Sequence, residues 1–168
     1  GLTFLSGVGV PDEYKNHFLM CDFLGSPQHS SVLTFAVQPK GAGFEVVDLH
    51  PMIQGVLCTD VEVGWDGAIY ISDWVQGWGS TETGRIWRVA HADANPPDMA
   101  QEIQRIAAQD WSACDTPTLI ALLKHADARL RQRAHWTLAD RGSSVIALLA
   151  EVVADDESIP RLHALWAL

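Results

Sequence analysis

The sequence contains no CxxC pair and no CxxCH, so neither a local zinc knuckle nor a c-type haem attachment can be assembled from it. No apolar run approaches the roughly 20 residues that span a bilayer, and no signal-peptide pattern occurs. Basic residues are scarce. The 11 Lys and Arg stand against 21 Asp and Glu, for a formal charge of −10. Such a chain repels phosphate backbones, so nucleic acid is not an expected partner. GxGxxG, P-loop, GxSxG and HExxH patterns are missing as well. Cysteine is limited to Cys21, Cys58 and Cys114. The odd number leaves at least one thiol free unless it pairs outside this sequence, and all three read as small buried hydrophobes.

What is present is a globular balance, with 48% hydrophobic and 19% charged residues, which argues against a disordered chain. The chain opens on Gly1 with apolar Leu2, Phe4 and Leu5 close behind, and it stops at Leu168 inside a helical pattern. Both ends read as cut, so a piece of a longer protein is expected.

Two periods divide the chain. From Phe18 to Val89 short apolar runs alternate with turn signals. Strands are expected at 17–22, 32–37, 44–49, around Val61 and Val63, around Ile69 and Ile71, and at 84–89. Turns are expected at Gly25-Ser26-Pro27, Pro39-Lys40-Gly41, Asp66-Gly67 and Gly77-Trp78-Gly79-Ser80. Asp66-Gly67 is the best hairpin signal, because glycine accepts positive φ without steric cost. The run Phe18-Leu19-Met20-Cys21-Asp22-Phe23 is echoed by Ile69-Tyr70-Ile71-Ser72-Asp73-Trp74. Each echo is followed by a loop and a second strand. A spacing of roughly 50 residues with about four short strands per unit matches a propeller blade.

Past Val89 the pattern becomes helical. Residues 90–97 form a polar linker ending in Pro96-Pro97. A helix is expected over 98–108, with Met99, Ile103 and Ile106 on one face. Asp115 precedes Thr116-Pro117 as an N-cap, with Leu119, Leu122 and Leu123 inward. Asp127 opens another helix with Leu130, Ala134 and Leu138 inward, closed by Gly142. Ser143 or Ser144 caps the next, with Val145, Leu148, Leu149 and Val152 inward. The run Ile120–Leu123 recurs at Ile146–Leu149, and Arg131-x-x-Ala134-x-Trp136-x-Leu138 recurs at Arg161-x-x-Ala164-x-Trp166-x-Leu168. A period of about 26 to 30 residues predicts pairs of short antiparallel helices of the HEAT or armadillo type.

The stretch Asp60–Trp74, followed by Gly84-Arg85-Ile86-Trp87-Arg88-Val89, resembles the closing blade of the membrane-bound dehydrogenases of planctomycetes and verrucomicrobia. The propeller of that family is similar to soluble glucose/sorbosone quinoprotein dehydrogenases, and HEAT repeats follow it. Pro11–Tyr14, His17–Leu19 and Cys21–Phe23 fit the preceding blade, and Leu122–Asp127 with Arg131-x-Arg133-Ala134 fits a first HEAT unit. Leu24 stands where the family pattern has Arg. The resemblance implies C-terminal blades of a β-propeller over 1–90, a linker with a helix over 91–115, and truncated HEAT-like repeats over 116–168. It implies a periplasmic sugar or alcohol dehydrogenase as the longer protein, with quinone, calcium and c-type haem held outside this chain. Its partners here would be the remaining blades and further HEAT repeats. The alternative is a non-enzymatic scaffold that binds protein or polysaccharide. The isolated piece is expected to be inactive and to bind no cofactor or metal itself.

No catalytic residue can be assigned. Asp73, Trp74 and Arg85 are the candidates for cofactor contact, since loops at a propeller face collect binding groups, aromatic faces stack on sugars, and Arg holds anions bidentately. Each also has a plain structural reading. Asp22 and Asp73 can accept backbone N–H groups to shape a turn. Trp74 and Trp78 can pack between sheets, and Arg85 and Arg88 can pair with nearby carboxylates. Asp60 precedes a strand and has the same structural reading, and His29 reads as a solvent-exposed loop residue. His125, His135 and His163 lie on helices. Arg129, Arg131 and Arg133 are expected to reach Asp155 or Asp156.

Overall fold

The computed structural model describes residues 1–5, 11–76, 82–90 and 97–168. The expected turn at Gly77–Ser80, with Trp78, and the expected linker at 91–96 lie outside them. The described chain divides into two compact units, Gly1–Ala100 and Gln101–Leu168.

The first unit carries two antiparallel sheets. Strands β1 (Leu2–Phe4), β2 (Phe18–Asp22), β3 (Ser31–Lys40) and β4 (Gly43–Gln54) form a four-stranded meander in that order. Strands β5 (Cys58–Val63), β6 (Ile69–Asp73) and β7 (Arg85–Val89) form a three-stranded one. Alternation sets the buried face of the second sheet. Ile69, Ile71 and Asp73 of β6 are buried, as the period of two requires, and in β5 the register shift between Cys58 and Asp60 brings Cys58 and Val61, three residues apart, to the buried face. The apolar members of this set join Leu5, Leu19, Val32 and Val56 in a single core, so the sheets pack on each other through these side chains. The β5–β6 turn is the hairpin read from the sequence. Gly67 sits at φ 77°, and Asp66 Oδ1 accepts from the N–H of Ala68 at 3.1 Å.

The expected propeller blades are not what forms. Among the described residues there are two sheets of unequal size, and no propeller. The physical reason lies in the segments that come after the two echoed strands. After Asp22 come β3 and β4, of 10 and 12 residues, paired along their length with register shifts at Val32/Leu33 and Thr34/Ala36. Such bulges bend and twist a hairpin. After Asp73 comes a five-residue strand, β7, that ends its sheet. Similar strand-plus-Asp sequences therefore build different sheets, and their shared core is an interface between faces.

The second unit is helical. Helix α1 (Pro97–Ala107) straddles the boundary, and α2 (Thr116–Leu122), α3 (Ala128–Asp140), α4 (Ile146–Val153) and α5 (Ser158–Ala167) follow. Asp115 caps α2, accepting from Thr118 N at 2.7 Å, and Asp127 caps α3, accepting from Arg129 N at 2.8 Å. Leu119, Leu123, Leu130, Ala134, Leu138, Leu149 and Ala164 are fully buried. Neither Ser143 nor Ser144 caps α4: a 3-10 turn over Gly142–Val145 leads into it, and Ser144 Oγ instead donates to Arg141 O at 2.9 Å. Leu148, expected inward, is exposed.

HEAT repeats are likewise not formed among the described residues. The repeated motif specifies amphipathic helices, not a repeated environment. Leu122 is buried whereas its counterpart Leu148 is exposed. Arg131 Nη1 donates to the carbonyls of His125 and Ala126 at 2.7 and 2.8 Å, whereas its counterpart Arg161 is exposed. Amphipathic spacing is enough to produce the echo without stacked identical units. No described helix is long and apolar enough to cross a membrane.

Candidate functional site

Asp73, Trp74 and Arg85 do meet, around an open depression of about 500 Å³ that Thr59, Ser72 and Ile86 also line. Its chemistry is already engaged. Asp73 is buried, and its Oδ1 accepts from Leu57 N at 3.2 Å and Val75 N at 2.8 Å. Its Oδ2 accepts from Trp87 Nε1 at 2.9 Å and faces Arg85 Nη2 at 3.1 Å. Burial alone would raise this carboxyl's pKa. The Trp87 and Val75 hydrogen bonds and the Arg85 charge outweigh it, holding the pKa below the ordinary carboxylate value. Both oxygens thus stitch β5, β6 and β7 around Val75, which is held at φ 73°, a strained position for a β-branched residue. The Arg85 guanidinium lies 4.9 Å from the Trp87 ring centroid. Trp74 is half exposed, and its backbone N–H donates to Leu57 O at 2.9 Å.

The other singled-out residues scatter. Arg88 pairs with Asp66 at 2.7 Å. His29 Nδ1 lies 2.9 Å from Ser26 Oγ in its own loop. Asp60 Oδ1 accepts the next N–H along the chain, that of Val61, at 3.0 Å. The basic residues of α3 do not take the expected partners. Asp155 and Glu157 pair with Lys124, while Arg129 forms a fork on Asp127. Arg133 lies over the Trp111 ring at 5.3 Å.

A constellation not anticipated from the sequence lies between α3 and α5. His135 Nδ1 and His163 Nδ1 are 2.9 Å apart, and both residues are buried. Arg131 Nε donates to His163 Nε2 at 3.2 Å. That bond fixes the tautomers. His163 must accept at Nε2, so its proton is on Nδ1 and is donated to His135 Nδ1; His135 then carries its own proton on Nε2. Burial, then the Arg131 charge, then His135 push the pKa of His163 down to about 4, and burial lowers that of His135.

Two indoles frame this pair. Trp166 packs at 5.1 Å from His163 and 5.8 Å from His135, and Trp136 at 5.8 Å from His135. Both tryptophans remain more than half exposed. Along α5, Ile159, Leu162 and Trp166 continue the exposed apolar surface, while Pro160, His163, Ala164 and Ala167 face inward. A spacing of three and then four residues puts the exposed three on one stripe. Beside Trp136 runs an open groove lined by Trp111, Arg133, Thr137 and Arg141. The arrangement suits binding an apolar surface. The signal in the sequence was the unusual placing of Trp136 and Trp166 one residue after, and three residues after, a helical histidine. Comparisons of this chain with family models, with curated proteins and with solved structures find no match.

Proposed function

We propose that this chain acts as a protein-binding module, and that its helical unit receives an amphipathic α-helix of a partner protein. The observation that carries this reading is that α5 is apolar on two faces. One face packs inside the unit. The other, Ile159, Leu162 and Trp166, is exposed and continues towards Trp136 on α3. A helix with a second apolar face is normally covered on both. The three-and-four spacing of the exposed stripe matches the ridge that a second helix packs against. Exposed tryptophans are the side chains most often found as energetic anchors at interfaces.

An oxidoreductase role for a longer protein draws no support from the candidate residues in this chain, because the Asp73 carboxylate and Arg85 are engaged with each other and with the β5–β7 framework.

A photoreactive phenylalanine analogue at Leu165, an exposed α5 residue next to Trp166, irradiated in the source cells, tests the binding reading. Peptide mapping of the adduct is expected to place it on an amphipathic helical segment, and Trp166→Asp is expected to abolish it. Adducts spread over unrelated loops, or adducts indifferent to Trp166→Asp, would overturn the proposal.

A further inference from the structure

Two of the three cysteines come together in the first unit, from strands of different sheets. Cys21 lies on β2 and Cys58 begins β5. The Cys58 sulfur donates to Ser31 O at 3.1 Å. Ser31 is the ladder partner of Asp22, and Val32 that of Cys21. Gly1 ties the same point from outside, accepting from Cys21 N at 2.9 Å and donating to Thr59 O at 3.2 Å. At this junction Cys21 packs against the buried cluster that contains Cys58. Cys21 is partly exposed and Cys58 is fully buried.

We propose that Cys21 and Cys58 form a thiol–disulfide exchange site that closes into a reversible bond between the two sheets, with a small-molecule disulfide such as oxidised glutathione as the oxidant. Cys21 is the attacking group, because it is the one a reagent can reach. Its thiolate bonds to one sulfur of the small disulfide, and the other sulfur leaves as a thiolate that takes up a proton. Cys58 then loses its proton to solvent, and its thiolate displaces the bound small thiol from Cys21. Two protein thiols are oxidised, and one small disulfide is reduced to two thiols.

The electrostatics order these steps. The neighbouring Cys58 side chain is the largest influence on Cys21 and lowers its pKa, against an opposing push from burial. For Cys58 the largest influence is Cys21 itself, which raises its pKa, with burial acting in the same direction. Once Cys21 carries the small thiol it has no charge, so the main obstacle to ionising Cys58 is removed. The buried thiol is therefore protected until its partner has reacted. Cys114, in the other unit, has its pKa raised by burial and by the Asp115 charge, and it serves as an internal comparison.

The test treats the reduced chain with oxidised glutathione and maps the products by peptide mass spectrometry. The expected product is a Cys21–Cys58 bridge, with Cys114 unmodified. Cys58→Ser is expected to stop the reaction at a stable glutathione adduct on Cys21. The rate of Cys21 alkylation by iodoacetamide in the whole chain should reach half its maximum at a lower pH than that of Cys114. A wild-type chain that accumulates the Cys21 adduct without closing, or that reacts first at Cys114, would overturn the proposal, and neither result depends on a variant folding.

Discussion

His163 donates from Nδ1 to Nδ1 of His135 across 2.9 Å, with both rings held neutral between α3 and α5. No position is left for an added proton. Protonating His135 would set two N–H groups against each other, and protonating His163 would set its Nε2–H against Arg131 Nε–H. The indoles of Trp136 and Trp166 rest on these rings. The apolar face therefore depends on a pair of neutral histidines.

The pH dependence has a definite sign and window. Both folded-state pKa values lie below the unfolded value near 6.5, and that of His163 lies near 4. Between these values the unfolded chain binds protons that the folded pair refuses. Stability is complete above pH 6.5 and falls as pH drops towards 4, by about 3 kcal/mol for the His163 shift alone. Urea titrations of the helical circular dichroism at pH 7 and pH 4.5 would measure it. His163→Gln should flatten the dependence, and an unchanged slope in that variant would refute the assignment.

Removing the Asp73 carboxylate tests whether it is framework or ligand. Asp73→Ala strands the N–H groups of Leu57 and Val75 and the indole N–H of Trp87, and it unpairs Arg85. Leaving the buried Leu57 donor unsatisfied costs about 1–3 kcal/mol, and Val75 and Trp87, which reach solvent, add less each, so a loss of about 3 kcal/mol is expected. Trp87 fluorescence during urea unfolding would report it, with the other tryptophans replaced by phenylalanine. A residue whose main task was to hold a ligand would instead leave stability unchanged.

Local chemistry was legible in the sequence, and the assembly was not. Asp115 and Asp127 were readable as caps because the signal is a side chain one turn away from the N–H it satisfies. The Asp66-Gly67 turn was readable for the same reason. The two internal echoes misled, because apolar spacing encodes which face of an element is buried but not what covers it. Leu122 and Leu148 occupy matching places in the echo, yet one is covered and the other exposed. Cys21 with Cys58, and His135 with His163, are contacts between elements far apart in sequence, and no residue spacing announces them.

The Cys21–Cys58 bond, once formed, should stabilise the first unit. It closes the loop between residues 21 and 58 in the unfolded chain, and loop-closure entropy for that length corresponds to about 4 kcal/mol. The gain should appear as a higher urea midpoint for the oxidised form than for the reduced one, and it should vanish in Cys58→Ser. A lower midpoint on oxidation would mean that the strands must move apart to accommodate the bond.

Asp127 offers the sharpest separation of a cap from an ion pair. It is fully buried, and its Oδ1 accepts from both Arg129 N at 2.8 Å and Arg129 Nε at 3.1 Å, while its Oδ2 accepts from Arg129 Nη2 at 2.6 Å. Burial works to raise its pKa, but the Arg129 bonds and charge prevail and hold it below the ordinary value. Asp127→Asn keeps an oxygen for the helix N–H and gives up the charge that faces Arg129. Asp127→Ala gives up both. The cap alone is worth about 1 kcal/mol, and breaking a buried pair from one side costs about 3–5 kcal/mol where solvent cannot compensate. Arg129 is partly exposed, which brings the cost of losing the charge below that range. Asn should lose about 2 kcal/mol and Ala about 3, read from chemical unfolding of the helical signal. Equal losses would assign the whole effect to the ion pair, and a near-neutral Asn would assign it to the cap.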